Sequence, residues 1–347
     1  MARVLLTGVA GFIGSHLGEA LLAQGWSVRG VDAFTDTYPV HQKRANLVGL
    51  AMRPGVELVV ADLARADLDV LLQDVEAVVH LAGEPGVPAS WGSSFTTYVE
   101  RNIVATQRLL EAVTAAGVTR FVYASSSSVY GPEQRRQLET CVTRPLSPYG
   151  ASKLAGECLV GAYAMQRGLS TVALRYFSVY GPRQRPDMAA HRFIEAALDR
   201  RPITVYGDGG QARDFTYVGD VVAATVAALT APAPSGVVLN VAHGEPVEVR
   251  ELIALVTDRL GTDLVIDYRP HRAGDTARTE GGADAAFQVL GWRATTALGD
   301  GLAAQVDWHL RRRRAREGHG IDIAAASVVT VPAQAGPPAF ASAPGAQ

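Results

Sequence analysis

The sequence predicts an α/β protein of the Rossmann type, with a doubly wound parallel sheet and a smaller, interleaved C-terminal substrate lobe. Short apolar runs alternate with helical patterns over the first 130 residues, and a glycine-rich segment at 7–14 follows the first run. Such βαβ units place their strands in parallel with right-handed crossovers. The 347 residues, 48% of them hydrophobic, are enough for about two domains with a sizeable core.

The elements follow from these patterns in chain order. The apolar runs predict strands at 4–6, 28–31, 58–61, 77–81, 120–124 and 170–175. Helical periodicity predicts helices near 12–22, 109–113, 149–163, 189–198, 218–229, 249–260 and 301–311. We expect a Rossmann domain at 1–178, to which part of about 212–245 returns, and a substrate-binding lobe mainly at 179–313. The Ala-, Pro-, Ser- and Gly-rich segment 318–347 is expected to be a disordered tail.

Composition excludes several classes of function. The net charge of -2 leaves no basic excess for contacts to a nucleic-acid backbone. No apolar run reaches the roughly 18 residues of a membrane span, and no leader pattern begins the chain. The two cysteines, Cys141 and Cys158, form neither a disulfide framework nor a metal-binding spacing. We therefore expect a cytoplasmic protein without a metal, a membrane or a nucleic acid as partner.

The glycine-rich segment predicts a dinucleotide site. Gly8, Gly11 and Gly14 lie between a strand and a helix, where glycines let backbone N–H groups approach a pyrophosphate. Glycine-rich turns are common, so the position matters more than the spacing. Asp32 comes 18 residues after Gly14, at the end of the second strand. A carboxylate there accepts hydrogen bonds from the adenosine ribose and repels a 2′-phosphate, which favours NAD over NADP. The alternative is an aspartate that stabilises a turn.

Two further strand ends belong to the same prediction, which makes 1–178 an NAD-binding domain. Asp62 and Leu63 end the third strand, where the adenine would lie. Leu81, Ala82 and Gly83 end the fourth strand, at the sheet edge that a dinucleotide crosses.

Tyr149 and Lys153 predict the catalytic base. Their spacing of four places them on one helix face, and Lys153 is one of only two lysines in the chain. A free tyrosine has a pKa of about 10, which an adjacent ammonium lowers. Such a phenol is suited to removing a proton from a sugar hydroxyl. A chance pair on a solvated helix is the alternative. One hydroxyl of the serine-rich segment 125–128 is expected to share the substrate hydroxyl with Tyr149.

Over about residues 3–313 the sequence resembles the extended short-chain dehydrogenase/reductase family, and most closely its UDP-glucuronate 4-epimerases. The resemblance rests on the segments 7–14, 175–182, 213–215 and 274–275, on Ser126 and on the Tyr149/Lys153 pair. It implies an NAD cofactor, a UDP-sugar substrate and a homodimer formed by the helix that carries Tyr149. It makes Ser126 the catalytic serine. The resemblance adds further NAD contacts, namely Phe12, Ile13, Lys43, Asn102 and Tyr176.

Two positions distinguish members of this family. Related 4,6-dehydratases carry Asp-Glu after the catalytic serine and decarboxylases carry a Glu, whereas this chain has Ser127 and Ser128. It therefore lacks the acid–base groups for either reaction. The loop 182–189 resembles that of the uronate epimerases and assigns Arg185 to the C6 carboxylate, which a guanidinium binds bidentately. The alternative is a loop arginine that faces solvent or a backbone carbonyl. Ser178, a small hydroxyl residue, mildly favours the uronate.

The resemblance also implies the remaining substrate contacts. Arg213 and Arg272 are candidates for the diphosphate, Asp275 for the uridine ribose and Tyr206 for packing near uracil, although each is also compatible with an ordinary surface position. The full predicted set is Pro85, Gly86, Ser127, Ser128, Ser178, Arg185, Arg192, Tyr206, Arg213, Arg272 and Asp275.

The predicted reaction is NAD-dependent epimerisation of UDP-glucuronate to UDP-galacturonate at C4, through a transient 4-keto intermediate. One alternative is a 4-epimerase of neutral UDP-sugars, either UDP-glucose or UDP-N-acetylglucosamine. Another is a non-catalytic NAD-sensing protein, which typically lacks the Tyr or the Lys.

Overall fold

A computed structural model describes residues 1–132, 136–271, 276–317 and 328–330. The candidates Arg272 and Asp275 lie outside the described residues. The strands are β1 (Arg3–Thr7), β2 (Ser27–Asp32), β3 (Val56–Val60), β4 (Ala77–His80), β5 (Arg120–Ser126), β6 (Thr171–Tyr176), β7 (Ser178–Tyr180), β8 (Ile203–Tyr206), β9 (Ala212–Tyr217), β10 (Val237–Val241), β11 (Pro246–Glu248), β12 (Ile266–Arg269) and β13 (Val328–Thr330).

The α-helices are α1 (Phe12–Ala23), α2 (Val40–Asn46), α3 (Val48–Ala51), α4 (Leu68–Leu71), α5 (Phe95–Tyr98), α6 (Ala105–Ala115), α7 (Pro148–Arg167), α8 (Ala189–Leu198), α9 (Val218–Thr230), α10 (Val249–Leu260), α11 (Asp284–Leu290) and α12 (Leu298–Glu317). A π-helical turn, Val99–Val104, joins α5 to α6. No helix in the described part of the chain is long and apolar enough to cross a membrane.

The main sheet confirms the predicted fold class. Its strand order is β10-β6-β5-β4-β1-β2-β3-β13, and every neighbouring pair is parallel. Helices cover both faces, so successive residues of a central strand enter different cores. In β1, Val4 and Leu6 pack on the side of Leu17 from α1, whereas Leu5 packs on the side of Leu109 from α6. This two-sided burial explains the continuous apolar runs in the sequence.

The C-terminal lobe is built on two smaller sheets, β11-β9-β7 and β12-β8. Its core contains buried apolar residues of α8, α10 and α12. Strand β10 leaves the lobe and pairs with β6 of the main sheet. The expectation of disorder throughout 318–347 is wrong for Val328–Thr330, which pair in parallel with β3 because that strand's outer edge offers free backbone groups. The rest of that segment lies outside the described residues.

Candidate active site

The glycine segment forms a tight turn between β1 and α1. Gly8 adopts a φ of +73°, which favours glycine, and its N–H donates to Val31 O over 2.7 Å. A Cβ on Gly14 would lie 2.1 Å from Gly8 O, so a larger residue there would collide with the backbone. The N–H groups of the turn itself are bonded within the protein, so a bound pyrophosphate would meet the first N–H groups of α1.

Asp32 ends β2 beside this turn. Its carboxylate accepts hydrogen bonds from Ala10 N over 3.1 Å and from Phe34 N over 2.8 Å. Lys43 Nζ lies 3.7 Å from Asp32 Oδ1 and donates to Thr35 Oγ1 over 3.0 Å. Both side chains are almost fully buried. The adjacent ammonium partly neutralises the charge with which Asp32 would repel a 2′-phosphate.

A cavity of about 390 Å³ opens at the carboxyl ends of the parallel strands. Most of the predicted site residues line it: Gly8, Gly11, Phe12, Ile13, Gly14, Asp32, Lys43, Asp62, Leu63, Leu81, Ala82, Gly83, Pro85, Gly86, Asn102, Ser126, Ser127, Ser128, Tyr149, Lys153, Tyr176, Ser178 and Arg185. The wall does not include Arg192, which is exposed on α8, or Tyr206 and Arg213, which lie on β8 and β9. Their predicted roles therefore have no support from the geometry.

A buried histidine fixes the cavity wall at the end of β4. Ala82 N donates to Thr7 Oγ1, which donates to His80 Nδ1 over 2.8 Å. His80 Nε2 in turn donates to Thr106 Oγ1 over 3.0 Å, and Thr106 donates to a backbone carbonyl. Burial, assisted by the charge of Lys153, lowers the pKa of His80 to about 3. The ring is neutral at physiological pH and holds β4 against β1 and α6.

Asn102 anchors the next part of the wall. It lies in the π-helical turn, where its Oδ1 accepts from Glu84 N over 2.7 Å and its Nδ2 donates to Glu84 O over 3.0 Å. The same Nδ2 lies 2.9 Å from Ser152 Oγ on α7. One fully buried side chain thus connects the loop after β4 with the helix that carries Tyr149.

The N-terminus of α7 places Tyr149 beside the serine turn. Ser147 caps the helix by accepting from Gly150 N over 3.1 Å, and Pro148 occupies the first turn. A Cβ on Gly150 would lie 2.2 Å from Ser128 O, so only glycine permits this close approach. The packing brings Tyr149 next to Ser126, whose hydroxyl acts on the pKa of the phenol.

The electrostatics of Tyr149 differ from the sequence-based expectation. Burial raises its pKa, while the hydrogen bond from Ser126 and the charge of Arg185 partly lower it. Burial also lowers the pKa of Lys153 to about 7, against the opposing charge of Glu157. Burial therefore has the largest effect on the pKa of both groups. The stabilisation of the phenolate by Lys153 stays a prediction.

A buried ion pair lies one turn behind Lys153. Glu157 accepts from Arg175 Nη2 over 2.5 Å and Nε over 3.0 Å, and also from Ser125 Oγ over 2.7 Å. Arg175 Nη1 donates to Tyr130 OH over 2.8 Å. This network joins α7, β5 and β6 beneath the catalytic residues.

Arg185 lines the cavity and is paired with a neighbouring carboxylate. Its Nε and Nη2 each donate to Asp187 over 3.0 Å, and the Arg185 side chain is 20% exposed. The same guanidinium acts on the pKa of Tyr149. The guanidinium of Arg185 therefore lies at the cavity wall and is mostly shielded from solvent.

Sequence reasoning also missed polar residues of the cavity wall, of which Glu84, Arg101, Thr37 and Tyr38 are four. Glu84 pairs with Arg101 and accepts from Thr37 Oγ1 over 3.0 Å, and all three line the cavity with Tyr38. Glu84 directly follows the predicted Gly83, so the strand end was a usable signal. The other three come from a loop and a helix without a distinctive motif.

A cluster of metal-ligand type lies outside the cavity, in the C-terminal lobe. Potential ligand atoms of His191, Glu195 and His309 lie within 4.8 Å of one another. The Glu195 carboxylate accepts from His309 Nδ1 and from Arg313 Nη2, each over 2.5 Å. A guanidinium therefore already neutralises this carboxylate.

Comparisons with known proteins agree with the fold and the cavity. The family model of the NAD dependent epimerase/dehydratase family matches residues 4–242. The chain is 42% identical over 305 residues to a Bacillus subtilis (strain 168) protein with the name uncharacterized UDP-glucose epimerase YtcB, covering 88% of this chain and 96% of that protein. It is 36% identical over 314 residues to the UDP-glucuronate 4-epimerase of Thermodesulfobacterium geofontis (strain OPF15), covering 89% and 96%. The crystal structure of a Bacillus cereus UDP-glucuronic acid 4-epimerase with UDP-glucuronic acid and NAD has a TM-score of 0.87 and 40% identity, covering 89% of this chain and 99% of that one.

Proposed function

The chain belongs to the NAD dependent epimerase/dehydratase family, and on that premise we propose that it is an isomerase that converts UDP-glucuronate to UDP-galacturonate. The observation that carries the substrate assignment is a guanidinium, that of Arg185, at the cavity wall next to Tyr149. Similarity to two proteins named UDP-glucuronate 4-epimerases supports the same substrate.

NAD is the cofactor, and the residues present fit it. Gly14 lets the start of α1 pack closely on the glycine turn, since a Cβ there would meet Gly8 O at 2.1 Å, and the first N–H groups of α1 would bind the pyrophosphate. Asp32 and Lys43 lie where the adenosine ribose would bind. When bound, NAD supplies reversible hydride acceptance at C4 of the sugar.

The chain's own residues then handle the proton and the orientation of the sugar. Tyr149 removes the proton of the 4-hydroxyl, and Ser126 hydrogen-bonds the same oxygen. Protonated Lys153 stabilises the phenolate. The 4-keto sugar turns over inside the cavity, and the proton returns from Tyr149 on completion. Ser127 and Ser128 offer no carboxylate, so elimination of water has no acid–base pair.

Arg185 has a second task in this proposal. The 4-keto uronate is a β-keto acid, which loses CO2 when its carboxylate turns out of the plane of the ring. A bidentate guanidinium holds the carboxylate in one orientation and opposes that loss. Asp187 uses Nε and one hydrogen of Nη2, so Nη1 and the second hydrogen of Nη2 remain for a bidentate contact to the sugar carboxylate.

The neutral-sugar alternative is supported by the name of one relative, which is that of a UDP-glucose epimerase. Product analysis separates the two. Holoenzyme is incubated with UDP-glucuronate and UDP-glucose, and the sugars are resolved by anion-exchange chromatography and NMR. Formation of UDP-galacturonate supports the proposal, whereas epimerisation of UDP-glucose alone, or release of a UDP-pentose, would overturn it.

Replacing Arg185 tests the assignment within the cavity. Stranding a buried carboxylate costs roughly 2–5 kcal/mol, so kcat/KM for UDP-glucuronate should fall about 30- to 4,000-fold in Arg185→Leu. The turnover of UDP-glucose should change little. Arg201→Leu is the matched control, because Arg201 is 62% exposed and pairs with Asp199 away from the cavity. An unchanged substrate ratio in Arg185→Leu would refute the role.

The proposal includes a cytoplasmic homodimer. Both cysteines, Cys141 and Cys158, are free thiols, in keeping with a reducing compartment. Along α7 the exposed side chains include Cys158 and Met165, which is 78% exposed, and this apolar stripe supports dimerisation through α7. Light scattering of the purified protein checks the assembly, and a monomer at micromolar concentration would contradict it.

A further inference from the structure

The loop that carries Arg185 is closed by two buried amide side chains. Gln184 and Gln305 are 3% and 0% exposed, and they come from positions 121 residues apart in the chain. Gln305 lies on α12, near the C-terminal end of the lobe in the sequence. Neither side chain belongs to the cavity wall.

Each hydrogen bond in this cluster has a determined direction. Gly181 N donates to Gln305 Oε1 over 3.0 Å, so Gln305 Nε2 must be the group that donates to Gln184 Oε1 over 2.8 Å. Gln184 Nε2 donates to Val179 O over 3.0 Å. The backbone N–H of His191 also donates to Gln184 Oε1 over 3.0 Å. No alternative amide orientation satisfies these partners.

The cluster joins both ends of the loop. Val179 and Gly181 lie where β7 ends, and His191 lies in the first turn of α8. The backbone N–H of His191 has no partner within the helix, and Gln184 accepts its hydrogen bond. His191 Nδ1 also donates to the Gln184 backbone oxygen over 2.7 Å. The residue next to this carbonyl is Arg185.

The loop is strained where it is held. Arg183 has a φ of +65°, an uncommon conformation for a residue with a side chain, and its Nη2 donates to Glu19 Oε1 of α1 over 2.7 Å. His16 of α1 contacts Pro182 O over 2.9 Å. Backbone strain persists only where the surroundings over-determine a conformation. Contacts from both the C-terminal lobe and the Rossmann domain therefore hold the four residues before Arg185 in place.

We propose that Gln305 and Gln184 are positioning residues that hold Arg185 in register with the sugar carboxylate and so set the preference for a charged sugar. The proposal rests on the proposed function. Neither glutamine touches the substrate; each acts through the loop backbone. Because a misplacement of about 1 Å can cost roughly 100-fold in rate, loosening the loop should harm the carboxylate substrate selectively.

The test compares Gln305→Leu with the wild type in the NAD-loaded enzyme. Leucine keeps the approximate size but removes the hydrogen bonds to Gly181 and Gln184. We expect kcat/KM for UDP-glucuronate to fall at least tenfold, mainly through KM, with little change for UDP-glucose. Asp220→Ala is the control, since the buried Asp220 side chain likewise takes part in two hydrogen bonds, which it accepts from Thr295 and Thr296. It should lower the melting temperature without changing the substrate ratio.

Gln305→Glu keeps the proposal testable if the leucine variant does not fold. A buried carboxyl is protonated more easily than a free one, and the protonated form accepts from Gly181 and donates to Gln184. The preference for UDP-glucuronate should therefore be retained at low pH and lost as the pH rises through the pKa of the new group, a dependence that the wild type lacks. Equal losses for both substrates, or a ratio independent of pH, would overturn the proposal. A wild-type enzyme that does not prefer UDP-glucuronate would instead refute the proposed function.

Discussion

Replacing Glu157 by Gln tests how the buried ion pair supports the catalytic helix. Glu157 and Arg175 are 8% and 5% exposed, and the carboxylate also accepts from Ser125, whose neighbour is Ser126. Glutamine keeps the size but leaves the guanidinium without a counter-charge. Removing one member of a buried pair typically costs about 3–5 kcal/mol, because the remaining charge is desolvated and uncompensated.

Urea unfolding followed by circular dichroism measures this loss. The expected decrease in unfolding free energy for Glu157→Gln is about 3–5 kcal/mol, and the double variant Glu157→Gln/Arg175→Met should recover part of it, since no charge is then stranded. A decrease below about 1 kcal/mol would refute the view that the pair is a desolvated one.

The same substitution has a kinetic signature. The charge of Glu157 raises the pKa of Lys153 against the effect of burial, which brings it to about 7. Without that charge the pKa of Lys153 falls further, so the ammonium is lost at a lower pH. The alkaline limb of the kcat profile should therefore move to lower pH in Glu157→Gln. An unmoved limb would mean that Lys153 is not the group that titrates there.

Three further predictions follow from the geometry. Tyr149→Phe should abolish turnover while leaving NAD bound, since only the proton acceptor is lost; nucleotide released on denaturation checks the cofactor, and activity within tenfold of wild type would contradict the role. Gly14→Ala should lose NAD, because its Cβ would lie 2.1 Å from Gly8 O; a normal NAD content would argue against the turn as described. Burial lowers the pKa of His80 from 6.5 to about 3, so the unfolded chain binds a proton at this site below about pH 6.5 that the folded chain does not. The free energy of unfolding should therefore fall as the pH decreases from 6.5 to about 3, by up to about 1.4 kcal/mol per pH unit. In urea unfolding at several pH values, His80→Gln should show a shallower dependence.

The Rossmann half of the fold could be predicted because each central strand is buried on both faces. For that reason strand β1 is an apolar run in the sequence, and so are the strands next to it. The lobe strands gave no such signal. Strand β9 contains Arg213 and Asp214 and forms only because distant segments, β7 and β11, pair with it. Such pairing depends on tertiary structure and leaves no local period in the sequence.

The site shows the same division between local and distant causes. The glycine turn and the Tyr149/Lys153 pair could be predicted because local sequence determines them: the glycines lie between a strand and a helix, and the pair is four residues apart on one helix. The pKa of Tyr149 could not, since burial is a property of the folded chain. Arg192 and Arg213, assigned through the resemblance alone, are not at the cavity wall. Gln305 could not have been found, because its partner lies 121 residues earlier in the chain.

The π-helical turn between α5 and α6 has a consequence for insertions and deletions. Tyr98, Asn102 and Thr106 are spaced by four residues, and all three hold the same wall: Tyr98 OH donates to Pro85 O over 3.0 Å, and Thr106 contacts His80. In a regular α-helix, positions eight residues apart diverge by about 80° around the axis. The wider turn takes more residues per revolution and keeps the three side chains on one side. Removing a single residue from Val99–Val104 would restore ordinary winding and leave Tyr98 and Thr106, then seven residues apart, within about 20° of each other around the axis. A deletion in this segment should therefore displace Asn102 rather than the contacts at its two ends.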